Sequence, residues 1–560
     1  MQVTRQISSL HKVPLNSLLD YPEIESATLL KGERFSYQIA FMHETLGKSN
    51  NFVVGRIEVD SPLAPYIKIY NIENAVMDCP ANRSDAAFDA NYITKEPGLM
   101  PDILIPSEES DYIWMAAEGA SSIWVELNVP ENFAAGIYSI NIKLHKKDLF
   151  SVAMKDEYVF EKELTVEILD EKILPQSLIY TRWFYADCIA DYHNVEIYSE
   201  KHWELIEKYI AAAVDVGVNM ILVPVHTPPL DTARGFARPC VQLVDIEKNG
   251  NKFTFSFDKF KRFIDICKKS GVKYYEIAHM FTQWGANHAP NIMVTENGES
   301  SYMFGWHTAA DSKEYTDFLK QYIAAISKEL KANGIAENAY FHISDEPNMQ
   351  NIDSYTRAAN IIKPLIDGSK TFDALSNYEF YQNGLVECPV TSVSHIADFL
   401  DKDVKDQWIY YCCSPQSVFT NGFMAMPLSR IRIMGMLIYK YDIKGFLHWG
   451  LNFYNSMVSH TKINPYITTS SNGCYPSGDA FILYPSKDGA YHSLRGKAFH
   501  EAIVDIDVCR TLEKYVGRDK VIELIDSEAG GELLFDNYPT GSAYLPSLRE
   551  KMVRIIKEHI

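Results

Sequence analysis

Apolar residues recur at every second position through the first 169 residues of the chain. Phe35, Tyr37, Ile39 and Phe41 alternate with mostly polar neighbours. So do Ile123, Val125, Leu127 and Val129, and then Tyr138, Ile140, Ile142 and Leu144. A period of two places one set of side chains on a single face of a strand. Turn residues such as Pro130-Glu131-Asn132 and Ala135-Gly136 separate the runs, and no helical stretch intervenes. Short alternating strands in succession predict an antiparallel β-sandwich, whose plain role is scaffolding.

After residues 170–176, which include Pro175, the rhythm changes. Strand-like runs at 177–183, 219–225, 272–279, 340–344, 371–377, 391–395, 407–413 and 445–450 alternate with helix-like runs at 201–216, 258–270, 311–333, 353–366, to about 405, 428–441 and 494–515. In the helix over 311–333, Tyr315, Phe318, Leu319, Tyr322, Ile323, Ile326 and Leu330 form one apolar stripe, and Gly334 offers a C-terminal cap. Eight strand–helix alternations predict a (β/α)8 TIM barrel. The fold class is thus α/β plus all-β: a β-sandwich domain over 1–172, a barrel catalytic domain over 173–516, and a C-terminal helical extension over 517–560 packed on the barrel. Insertions at 227–255, 280–310 and 451–492 all follow strands, which assigns them to the C-terminal face where barrel active sites are built.

Composition narrows the function. A chain of 560 residues with 47% apolar and 12% aromatic residues folds as more than one globular domain. A formal charge of −20 and the lack of a long Lys/Arg block argue against nucleic acid as a partner. Nine scattered cysteines without CxxC spacing read as reduced thiols of a cytoplasmic protein. No signal peptide or membrane span is visible, so the expected location is the cytoplasm, or outside the cell if a leader has been removed.

The densest chemistry lies at the end of the fourth strand, where Ile343-Ser344-Asp345-Glu346-Pro347 follows an apolar run. These residues would equally suit a helix start, with Ser344 or Asp345 as N-cap and Pro347 in the first turn. Their place at the C-terminal end of a barrel strand is what points to catalysis. A retaining glycosidase of the usual design needs a second carboxylate about 5 Å away. The seventh strand ends in Tyr410-Tyr411-Cys412-Cys413 and the eighth in His448-Trp449-Gly450, without an acid, and Asp398 suits a helix cap. Adjacent residues do not readily flank a bond from opposite faces. A mechanism in which a 2-acetamido sugar supplies its own nucleophile fits a lone Asp-Glu pair better.

Together with Phe446-Leu447-His448-Trp449, Gly478-Asp479-Ala480-Phe481-Ile482-Leu483-Tyr484-Pro485 and Ser493-Leu494-Arg495, this motif resembles glycoside hydrolase family 123 over roughly residues 175–515. The resemblance implies an exo-acting β-N-acetylgalactosaminidase with a substrate-assisted, oxazolinium mechanism. Asp345 would orient the acetamido group and Glu346 would be the general acid/base. Tyr378, Tyr381, Tyr411, Trp449, Trp306 and Trp284 are candidate sugar-binding aromatics, with a tyrosine hydroxyl from Tyr378 or Tyr381 on the acetamido oxygen. Core packing is the competing role, and it is favoured for Trp284 and Trp306. Asp479 could bind sugar hydroxyls or be a solvated turn residue, and Arg495 suits a structural ion pair. His279, His307, His395 and His448 lack metal-ligand spacing, so no metal and no cofactor are expected. The expected partner is a glycan or glycoconjugate. Two other readings stand beside it: the same architecture acting on a sugar without an acetamido group, and a catalytically silent carbohydrate-binding protein.

Overall fold

The computed structural model describes residues 2–43, 52–81, 88–109, 113–116, 119–147, 154–366 and 368–560. They divide into two compact units, one of residues 1–177, 420–440 and 491–560, the other of residues 178–419 and 441–490.

The first unit is built on two sheets. One orders the strands Gln2–Ser8, Arg34–His43, Ala120–Asn128, Ile67–Met77, Gly98–Pro106 and Ala490–Ser493; the other orders Ser26–Lys31, Met154–Lys172, Gly136–Lys147, Phe52–Asp60 and Ile113–Ala116. The alternating residues read from the sequence form their common core: Tyr37, Ile39, Phe41, Ile123, Val125, Leu127, Ile140, Ile142 and Leu144 are all buried. One pairing departs from the antiparallel expectation, because Ser26–Lys31 runs parallel to Met154–Lys172.

The helix Leu494–Val516 belongs to this same unit and is buried around most of its circumference, so its charged residues are paired. Arg495 bonds Asp102 at 3.0 Å and Lys497 bonds Glu126 at 2.9 Å. Residues 517–560, expected on the barrel, group with this unit instead. Their helix Tyr544–Lys557 packs on Leu494–Val516 and on the strand Ser26–Lys31, where Arg549 pairs with buried Glu33. A one-dimensional apolar stripe marks a helix face but does not say which surface will cover it.

The second unit contains a closed barrel of eight parallel strands in sequential order: Ile179–Arg182, Met220–Val223, Tyr274–Ile277, Ala339–Phe341, Lys370–Leu375, Cys388–Ser392, Trp408–Tyr410 and Gly445–His448. The eighth closes on the first, with Ile179 opposite Gly445 and Arg182 opposite His448. Gly445 is required by close approach, since a Cβ there would lie 2.1 Å from the Trp408 ring. Two of the insertions carry structure that periodicity did not reveal. Asp245–Asn249, Lys252–Ser256, Ile292–Glu296 and Glu299–Phe304 form a separate four-stranded sheet. Among the described residues no helix is long and apolar enough to cross a membrane, and the nine cysteines are free thiols.

Candidate active site

The fourth strand stops at Phe341, three residues before the sequence expectation. The cause is Asp373 on the fifth strand. Its carboxylate accepts the backbone N–H groups of Ile343 at 3.1 Å and Ser344 at 3.2 Å, and the Tyr355 hydroxyl donates to it. Side-chain bonds thus take the place of the sheet ladder, and residues 342–348 run on as a loop.

The helix-cap alternative for Asp345 and Glu346 fails here. Asn348 is the N-cap of the following 3-10 turn Met349–Asn351: its side chain accepts the Gln350 N–H at 2.9 Å, and Asn351 accepts the Asn348 N–H at 2.9 Å. Both acids are left to face a cavity of about 180 Å³, lined also by Trp183, Asp231, Gln283, Trp284, Tyr410, Cys412, Cys413, Leu447, Trp449 and Tyr475. Consecutive side chains of an extended segment point to opposite sides. Glu346 breaks that alternation with φ of 44°, a left-handed conformation that costs about 1–3 kcal/mol in a non-glycine residue. The Glu346 N–H donates to the Ala374 carbonyl at 3.1 Å and holds that turn.

Each acid has its own partner. Gln283 Nε2 donates to Asp345 Oδ2 at 2.8 Å, and the Tyr410 hydroxyl donates to Glu346 Oε1 at 2.9 Å. Burial, and after it the Glu346 carboxylate, push the Asp345 carboxyl up to about 8. Asp345 is buried beside a second carboxyl, which opposes a negative charge there, so Asp345 retains its proton at neutral pH.

Beneath them lies a buried chain of charge. His342 Nδ1 bonds Asp373 at 2.8 Å and its Nε2 bonds Glu276, which also accepts from the Thr181 hydroxyl and the Trp183 indole N–H. Burial alone would lower the His342 pKa; Glu276 and Asp373 outweigh it and raise it to about 9, so His342 is a cation that tempers the negative charge above it. His279 stacks on His342 with centroids 3.7 Å apart and ring planes 11° apart, and burial with that neighbouring charge keeps it neutral. His279, His342 and Asp373 bring their donor atoms close together. Yet nearly parallel rings stacked face to face cannot both hold one ion in plane, and both nitrogens of His342 already bond carboxylates.

The model of the glycoside hydrolase 123 catalytic domain matches residues 183–512, more than half of the chain and inclusive of every residue of this cavity. The chain belongs to glycoside hydrolase family 123. It is a glycosidase, and its substrate is a glycan. In fold the family 123 chain is similar to a family 123 glycoside hydrolase from Clostridium perfringens, with a TM-score of 0.72 and 15% identity over 100% of this chain and 98% of that one. Much weaker matches are a Bifidobacterium dentium beta-glucuronidase (TM-score 0.32, 8% identity, 90% of this chain and 66% of that one) and a Thermobacillus composti GH10 xylanase (TM-score 0.31, 10% identity, 59% and 97%). No curated protein sequence matches.

Of the residues expected in this family 123 site, Asp345, Glu346 and Trp449 line the cavity. Asp479 stands behind it: the Trp449 indole N–H donates to its Oδ2 at 2.9 Å, and His448 lies 3.3 Å from its Oδ1. Asp479 fixes the angle of Trp449 and is outside the lining. Tyr411 is buried against Phe446 and His448 at 5.0 and 5.5 Å. Trp306 lies in the insertion near His288, 6.0 Å away, outside the lining. Tyr378 and Tyr381 are also outside it, because the chain turns after Leu375 into the short helix Glu379–Gln382. There Tyr378 packs on Phe399 beneath the Lys402 ammonium, and the Tyr381 hydroxyl accepts the Lys405 N–H.

The tyrosines at the cavity are Tyr185, Tyr410 and Tyr475, which the sequence did not single out. Tyr410 sits opposite Leu447 in the barrel register, and both line the cavity. Choosing between Tyr410 and Tyr411 requires knowing which face of the strand turns inward, and a three-residue strand is too short for its periodicity to show this. Trp284, expected in the core, is 56% exposed at the cavity. Its φ of 58° and its N–H bond to the Asp345 carbonyl, at 2.9 Å, place it beside the acids. Tyr410→Phe deletes the donor on Glu346, and kcat should fall about 10-fold or more, the scale of one hydrogen bond to a charged group. Steady-state kinetics with an unchanged melting temperature check this.

Proposed function

We propose that the protein is an exo-acting, retaining glycosidase that releases terminal β-linked N-acetylgalactosamine by substrate-assisted catalysis. The observation that carries the proposal is the delivery of two consecutive acids to one cavity, each held by a different partner. Glu346 protonates the glycosidic oxygen. The acetamido carbonyl oxygen attacks C1 and forms an oxazolinium ion, whose N–H and positive charge face the Asp345 carboxylate. Water, deprotonated by Glu346, then opens the ring with retention.

In the empty site the shared proton rests on Asp345. An acetamido N–H, and the positive charge that grows on it, bond the anion of Asp345 more strongly than its neutral acid, so sugar binding favours the arrangement with the proton on Glu346, where the first step needs it. The cavity, at about 180 Å³, is smaller than the about 300–1,000 Å³ of pockets for drug-sized ligands, a size suited to a single terminal sugar. Trp449 and Trp284 offer ring faces for the pyranose.

One observation favours a second reading. Asp231 adds a third carboxyl to the cavity wall and could act as a nucleophile on a sugar lacking an acetamido group. A panel of 4-nitrophenyl β-glycosides separates the two readings. Turnover of the 2-acetamido sugars alone, with inhibition by an N-acetylgalactosamine thiazoline, is the expected result. Turnover of 2-hydroxy sugars without thiazoline inhibition would overturn it.

A further inference from the structure

The Asp231 carboxyl is held as a fixed part of the cavity wall, although it lies in the long insertion after the second strand. Its Oδ1 accepts the Tyr475 hydroxyl at 2.9 Å and the Val458 N–H at 3.1 Å. The Asp231 carbonyl accepts the Ser459 hydroxyl at 2.7 Å, and the Asp231 N–H donates to Gln283 Oε1 at 2.9 Å. The backbone sits at φ of 42°, a region that aspartate and asparagine tolerate better than most residues. Oδ2, by contrast, is buried without a hydrogen-bond partner. An unbonded buried carboxylate oxygen is costly, and one held at a cavity wall is an acceptor that a bound ligand can satisfy.

Two neighbours indicate which part of a ligand reaches it. Gln283 spans the gap between Asp231 and Asp345, donating to the Asp345 carboxylate with one end and accepting the Asp231 N–H with the other. Tyr475, which donates to Asp231, packs edge-on against Trp449 with centroids 5.2 Å apart. Asp231 therefore stands on the Asp345 side of the cavity, and Glu346 has the separate partner Tyr410. If Asp345 meets the acetamido group on C2, the next ring positions along that side are C3 and C4.

We infer that Asp231 is a specificity-determining residue whose Oδ2 accepts a hydrogen bond from the C3 or C4 hydroxyl of the terminal sugar. The inference rests on the proposed function for its orientation of the ring. Gln283 then couples recognition of that hydroxyl to the placing of Asp345. A sugar already substituted at that hydroxyl would leave Oδ2 unbonded and crowd the wall, which restricts the site to unsubstituted chain ends.

The test pairs the Asp231→Asn variant with deoxy sugars. Asparagine keeps an oxygen for Tyr475 and Val458 and tolerates the backbone angle, and Asp231→Ser, with the melting temperature of each, guards against a folding defect. With the parent 4-nitrophenyl glycoside, kcat/KM should fall about 10- to 100-fold, mostly through KM, the scale of one hydrogen bond to a charged group. With the 3-deoxy or the 4-deoxy analogue the wild type should lose as much, and the ratio of wild type to variant should collapse towards 1. The 6-deoxy analogue should keep the full ratio. Full ratios with both the 3- and 4-deoxy sugars would overturn the inference. So would loss of kcat that azide restores, since that marks a nucleophile. The parent sugar is whichever glycoside the wild type turns over, so a failed N-acetylgalactosamine assignment shows in the panel and a failed hydroxyl contact shows in the ratios.

Discussion

Replacement of Glu346 by glutamine is expected to lower kcat/KM by about 10²–10⁴-fold on substrates with poor leaving groups, the range that general acid catalysis supplies. A glycosidic oxygen departing as an alkoxide needs a proton, which an amide cannot give. A dinitrophenolate leaves unaided, so 2,4-dinitrophenyl glycosides should be far less affected. Equal loss on both leaving groups would remove Glu346 from the role of acid. The pH profile carries the same point. Burial and the Glu346 carboxylate hold Asp345 at about 8, so the shared proton is present below that pH and lost above it. The alkaline limb of kcat/KM should therefore lie near pH 8. In Glu346→Gln the neighbouring charge is gone, the Asp345 carboxyl loses one cause of its upward shift, and it should ionise at lower pH.

Asp345→Asn should cost about 10²–10³-fold in kcat, comparable to removing one preorganised electrostatic group from a water-shielded site. In the proposed mechanism positive charge grows on the N–H facing Asp345 as the acetamido oxygen attacks C1, and a neutral amide cannot balance it. A thiazoline inhibitor, which mimics that intermediate, should lose affinity in parallel, measured by calorimetry. Loss of kcat with undiminished thiazoline binding would show that Asp345 acts elsewhere. The two substitutions differ in their signature, because only the Glu346 effect should depend on the leaving group.

Much of the architecture was legible because it is local. Alternation at Tyr37, Ile39 and Phe41 is a property of adjacent residues, and it became the sandwich core. Eight apolar runs separated by amphipathic ones became eight barrel strands in order. Strand ends were less legible. The run expected to continue to Ser344 stops at Phe341, because the Asp373 carboxylate takes the Ile343 and Ser344 N–H groups that a further pairing with the fifth strand would have used. The membership of 517–560 was not legible at all, since the burial of Arg549 against Glu33 joins residues more than 500 positions apart.

By itself the sequence determined the barrel order, the elements of the barrel and the place of the adjacent acids Asp345 and Glu346 just after its fourth strand, because each depends on neighbours along the chain. Only the tertiary structure decided that Asn348 and not Asp345 caps the next turn, that Tyr410 faces Glu346 while Tyr411 packs away, and that Gln283 links Asp345 to Asp231 of a different insertion. The physical reason is the same in each case. A cavity wall is assembled from loops that follow different strands, and which side chains reach it depends on barrel register and left-handed turns at Asp231, Trp284 and Glu346, neither of which leaves a periodic trace in the chain.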